Sequence, residues 1–80
     1  MRHRSRTDIV SQILDTSNVG ATKTQIRDAV LLSPIQLDAY INALVKAGLL
    51  EVSLGNKYKT TPEGLQIIAS LEKLDKLAID

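Results

Sequence analysis

The strongest constraint on this chain is a pair of helix starts only eleven residues apart, followed by a single stop. Thr22 can cap a first helix, with Gln25 three residues on completing a capping box. Ser33 can cap a second, with Pro34 at the first helical position and Gln36 closing its box. Gly48 supplies the stop, after Lys46 in the last turn. A short helix, a turn at Leu31-Leu32-Ser33 and a longer helix ending in Gly make a helix-turn-helix pattern.

The apolar register agrees with two packed helices. Leu37, Ile41 and Leu44 follow i, i+4, i+7 spacing along the second, with Tyr40 and Val45 at the edges of that stripe. Ile26, Ala29 and Val30 point one way on the first. At about 100° per residue, the opposite face of the second helix carries Ile35, Gln36, Ala39, Asn42, Ala43 and Lys46. That face is small and polar, which suits entry into a DNA groove and equally suits simple solvation. Lys46 is its one cation, and Asp38 lies beside it.

Eighty residues with two Tyr and no Phe or Trp make one domain whose core is built from Ile, Leu, Val and Ala. Such a core favours helices packed on one another, and a dimer would add buried area that the monomer lacks. The chain has no cysteine, hence no disulfide or thiolate metal site. It has no run of eighteen apolar residues and no signal-peptide hydrophobic region, so a cytoplasmic protein without a membrane partner is expected. The formal net charge is +1, but its distribution is uneven. Arg2, Arg4 and Arg6 open the chain, and Lys23, Arg27, Lys57 and Lys59 flank the two helices, whereas Pro62 to Asp80 holds four acids against two lysines.

Residues 1–6 read as a flexible basic tail. Its His3 reads as a bystander, and its arginines can contact phosphates or the minor groove as an arm. Thr7 or Ser5 can cap a helix of about ten residues with Asp8 in its first turn, and Ile9, Val10, Ile13 and Leu14 form its apolar side. Thr16-Ser17-Asn18 ends it, and Val19 to Ala21 can add a bridge to a small sheet. After Gly48 the pattern changes to strands at Leu49–Leu54 and Lys57–Thr60, joined by Gly55-Asn56 as a two-residue type II′ hairpin. Lys57 and Lys59 then share one face of the second strand, and Tyr58 points inward or stacks on the domain.

Thr61-Pro62 starts a last helix running to about Ala78, roughly 25 Å long. Gly64 weakens its first turn by about 1 kcal/mol relative to Ala. Leu65, Ile68 and Ala69 form a short face suited to the parent domain. Ile67, Leu71, Leu74 and Ala78 form a longer stripe that suits a partner helix, hence a homodimer. There is no Gly-rich phosphate loop, metal-ligand cluster, paired-carboxylate site or nucleophile beside a histidine, so neither an enzyme nor a cofactor is expected.

The order helix, short strand, helix-turn-helix, hairpin, helix is that of a winged helix-turn-helix domain. The segments GATKTQI at 20–26, KAGLLE at 46–51 and KYKTTPEG at 57–64 resemble the small archaeal winged-helix DNA-binding regulators. The resemblance covers the chain from about Thr7 to its end. It implies a mainly α (α+β) winged helix over residues 7–61 and a C-terminal helix over 62–80 that pairs as an antiparallel coiled coil. It makes Ser33 to Lys46 the recognition helix and Gly55-Asn56 the tip of the wing.

On this reading the protein binds double-stranded DNA as a dimeric transcriptional regulator or a chromatin-like architectural binder. The rival is a protein-interaction module on the same scaffold. Arg4, Arg6, Lys23, Thr24, Arg27 and Ser33 are placed at or near phosphates. Gln36, Asn42 and Lys46 reach base edges, Ala39 lets the helix approach closely, and Lys57 and Lys59 hold the flanking backbone.

Overall fold

The computed structural model describes the backbone of residues 5–77 and the side chains of 5–71. Arg4 and Ala78 lie outside the described residues, as does the side chain of Leu74. Four helices and a three-stranded antiparallel sheet follow in the order α1 (Arg6–Thr16), β1 (Ala21–Thr22), α2 (Lys23–Val30), α3 (Pro34–Lys46), β2 (Leu50–Ser53), β3 (Lys57–Thr60) and α4 (Pro62–Leu77). This is an α+β winged-helix arrangement.

Side-chain caps set the helix starts. Ser5 caps α1 in a reciprocal box with Asp8, so Arg6 is already the first helical residue and not part of a tail. Thr22 and Gln25 form the same box at α2. At α3 the box is only half made. Ser33 Oγ accepts from the Gln36 N–H, but Gln36 Oε1 accepts from the Ser33 hydroxyl at 3.3 Å and not from its N–H.

The stops differ. α3 ends in a full Schellman motif, with Gly48 at φ +78, its N–H on the Val45 carbonyl and the Leu49 N–H on the Leu44 carbonyl. α2 ends on Leu31 at φ +59, a left-handed conformation that costs a residue with a Cβ about 1 kcal/mol. The side chain of Leu31 is 78% exposed.

The core gathers one to three residues from every element except β3: Ile13 and Leu14, Ala21, Ile26 and Val30, Leu37, Ile41 and Leu44, Leu50, and Ile68. Ile9, Val10, Leu32, Tyr40, Leu49 and Tyr58 pack around it. Ala29 faces solvent, because a two-turn helix buries only the Ile26–Val30 line.

Strand order is β1-β3-β2. The bridge expected near Ala21 is a two-residue strand, with Ala21 opposite Tyr58 and Thr22 opposite Lys57. In the hairpin Leu50 faces Thr60 and Ser53 faces Lys57, which leaves a three-residue loop, Leu54-Gly55-Asn56. The expected two-residue type II′ turn is therefore replaced. Both Gly55 (φ +75) and Asn56 (φ +59) are left-handed, whereas type II′ needs a positive φ only at its first position.

The base of the hairpin is tied into the helices. Thr60 donates its N–H to the Ser17 carbonyl at 3.1 Å and its hydroxyl to the Leu14 carbonyl, one of the last-turn acceptors that α1 cannot use itself. Thr61 accepts the Gly64 N–H at 3.1 Å and donates its hydroxyl to the Gly48 carbonyl at 2.6 Å. α4 packs through Gly64 and Ile68, with Leu71 partly buried. Leu65 and Ala69, expected to pack on the domain, are exposed. The reason is Gly64: a Cβ there would run into the Leu49 carbonyl oxygen and meet Thr60 Cγ2 at 2.6 Å, so this close approach sets the rotation of the helix.

Candidate nucleic-acid interface

The face of α3 turned away from Leu37, Ile41 and Leu44 is open along its length. Ile35, Gln36, Ala39, Asn42, Ala43 and Lys46 are all exposed, Ile35 at 84%. Two clefts run along its sides. On one side Arg6, at the first position of α1, lines a cleft with Ala39, Tyr40 and Ala43. The two alanines leave room there for the long guanidinium arm. On the other side Ile41, Asn42, Val45 and Lys46 of α3 face Val52 and Tyr58 of the sheet. That cleft is apolar with a polar rim at Asn42 and Lys46. Leu54, at the hairpin loop, is 96% exposed.

A third hollow lies between the starts of α2 and α3, lined by Lys23, Thr24, Arg27, Pro34, Leu37 and Asp38. Lys23 Nζ donates to Asp38 Oδ1 at 2.6 Å, with both side chains about half exposed. The carboxylate accepting this bond pushes the Lys23 pKa above its ordinary value. With the folded pKa raised, the pair's contribution is fully present below the ordinary lysine pKa and is lost as pH rises through the raised value. It is thus intact throughout the neutral range. Arg27 Nε lies 3.8 Å from Asp28 Oδ1, a loose pair between exposed neighbours.

The register decides where the hairpin lysines point. Leu50 and Thr60 are buried, so Val52 and Tyr58 share the inner face of the sheet. Lys57 and Lys59 therefore lie together on the outer face, away from α3, with Ser53 and Glu51 directly opposite them. The structure sets Arg6 on the same cleft as Ala39 and Ala43, and Asn42 on the same cleft as Lys46. It groups Lys23 and Thr24, at the start of α2, with Arg27 of its last turn around one hollow. It does not bring Lys57 and Lys59 to the α3 face. Ser33 and Gln36 are exposed but share the cap hydrogen bonds, which draws the Gln36 amide toward the helix start.

Sequence reasoning missed the partnership of Asp38 with Lys23, which are fifteen positions apart and carry no local signature. It also missed the apolar strip of Val52 and Leu54, for which the period-two alternation after Leu50 was the available signal.

Among the described residues no group of His, Cys, Asp and Glu could hold a metal ion, and no helix is long and apolar enough to cross a membrane. Comparison with curated proteins gives no match. A family model described as winged helix-turn-helix matches residues 3–79, almost the whole chain. The open α3 face, the hairpin packed beside it and this match agree: the chain belongs to the winged helix-turn-helix family.

Proposed function

We propose that the protein binds duplex DNA as a dimeric transcriptional regulator in the cytoplasm, in the manner of the small archaeal regulators it resembles. The observation that carries this is the uninterrupted exposed face of α3, flat at Ala39 and Ala43, in a chain of a fold family associated with DNA binding. α3 enters the major groove, where Asn42, Lys46 and Gln36 meet base edges. Arg6 reaches a phosphate from the side of α1, Arg4 extends that contact, and Thr24, Arg27 and the amides at the helix starts meet the flanking strand. Lys57 and Lys59 engage phosphate only where the duplex bends round the outer face of the wing. Two chains join through α4, with Ile67, Leu71, Leu74 and Ala78 at the seam.

The test is titration of a random-sequence duplex at several salt concentrations, alongside light scattering of the free protein. Binding that weakens with salt, at a mass of two chains, is the expected result. Salt-independent or absent binding overturns the DNA reading, and a one-chain mass at micromolar concentration overturns the dimer. One observation favours a second reading as a protein-interaction module: the cleft beside α3 is lined by Val45, Val52 and Tyr58 rather than by cations. The same titration separates the two.

A further inference from the structure

Lys23 is the first residue of α2 and Asp38 stands in the second turn of α3, so their contact spans the junction of the helix-turn-helix. The Thr22–Gln25 box fixes one end and the Ser33 cap with Pro34 fixes the other. They share a hollow with Thr24 and Arg27, and on the duplex-binding reading a phosphate of the flanking strand comes to it. A carboxylate there works against a phosphate twice. It occupies the nearest ammonium group, and it presents a negative charge of its own once that group is drawn away.

An exposed ion pair adds little to stability, so the fold does not require it. Its effect falls instead on whatever anion comes to this hollow.

We infer that Asp38 is a brake on duplex binding: by holding Lys23 it keeps one cation out of the phosphate contacts and lowers affinity for DNA of any sequence. The inference rests on the duplex-binding reading above and adds to it a device that limits the electrostatic background. Because a phosphate contact carries no sequence information, the brake lowers the total amount of DNA bound and leaves the preference set by Asn42, Lys46 and Gln36 unchanged.

The experiment compares the full-length wild type, Asp38→Asn, Lys23→Ala and the double variant on one random-sequence duplex, by fluorescence anisotropy across a salt series. Asp38→Asn is expected to tighten binding by roughly three- to tenfold at about 0.1 M salt and to steepen the salt slope by about one phosphate contact. Lys23→Ala should then remove about one contact from the slope in the Asp38→Asn background and none in the wild-type background.

Equal effects of Lys23→Ala in both backgrounds overturn the brake, because additive net charge would then account for the data. Wild-type binding that Asp38→Asn leaves unchanged overturns the brake alone. No salt-dependent binding by either protein overturns the duplex reading, and the brake with it. Both positions are half exposed, so the variants should fold; thermal unfolding checks each one, and Asp38→Ser repeats the test with a different neutral side chain.

Discussion

The hairpin has two ends built on opposite terms. At its base, Thr60 and Thr61 spend backbone and hydroxyl groups on the Leu14, Ser17, Gly48 and Leu49 carbonyls, and Gly64 leaves no room for a Cβ. At its tip, Leu54 is almost wholly exposed, and Gly55 and Asn56 turn the chain through left-handed conformations, with nothing within 4 Å of where a Cβ on Gly55 would stand. One short element is thus fixed where it meets the core and unconstrained where it would meet a partner. The base should govern stability and the tip should govern binding.

The sharpest way to break this division is Gly64→Ala. Helix propensity alone would favour Ala by about 1 kcal/mol, but the forced shift of the Leu49 carbonyl should cost roughly 1–3 kcal/mol beyond that gain. A fall in chemical-denaturation midpoint is expected; a rise would show that the close approach at Gly64 is slack. Next, Thr60→Val keeps the shape and leaves the Leu14 carbonyl short of a donor, for a loss of about 1–2 kcal/mol in the same measurement.

Ser17→Ala probes the base with the opposite sign. Its hydroxyl is fully buried and has no partner, so removing it should stabilise the domain by up to about 1 kcal/mol.

Variants on the exposed surface of the hairpin should do little in denaturation. Lys57→Ala with Lys59→Ala should move stability by less than about 0.5 kcal/mol. On duplex DNA it should lower the salt slope by up to about two contacts, and an unchanged slope would remove the outer wing face from the mechanism. Leu54→Ser is expected to have the smallest effect on folding, within about 0.3 kcal/mol. A larger loss would mean that the tip is packed and that the two ends of the hairpin are alike.

The features legible in the sequence were those decided within four residues. The Thr22 box, a cap at Ser5 or Thr7, the Pro34 and Pro62 starts and the Gly48 stop each need only an i, i+3 contact or one backbone conformation; the structure settles the first cap on Ser5 and leaves the expected Ser33 box half made. The stripe Leu37, Ile41, Leu44 was legible for the same reason, and it placed the open face of α3 correctly. What escaped depends on pairing at a distance. The hairpin loop is three residues long because of the register of Leu50 on Thr60, and that register also turns Lys57 and Lys59 away from α3. α4 carries apolar residues on several sides, so its spacing could not say which side is buried. A glycine contact with Leu49 decides it. The Lys23–Asp38 pair and the nearness of Arg6 to Ala39 likewise exist only once the helices are packed.

The pairing of β1 with β3 has a consequence for the order of folding. β2 and β3 are neighbours in the chain, and their hairpin closes a short loop at little entropic cost. Ala21 and Tyr58 are separated in the chain by α2, the turn at Leu31 and α3, so bringing them together closes a much longer loop. A two-residue strand holds too few hydrogen bonds to offset that closure alone, so it must form together with the core around Ile26 and Ile41. The Ala21–Tyr58 bridge is therefore expected to form late, as the latch that shuts when the domain is complete. In native-state hydrogen exchange, any of its amides that bond across the sheet should open with the whole domain and not with the hairpin alone.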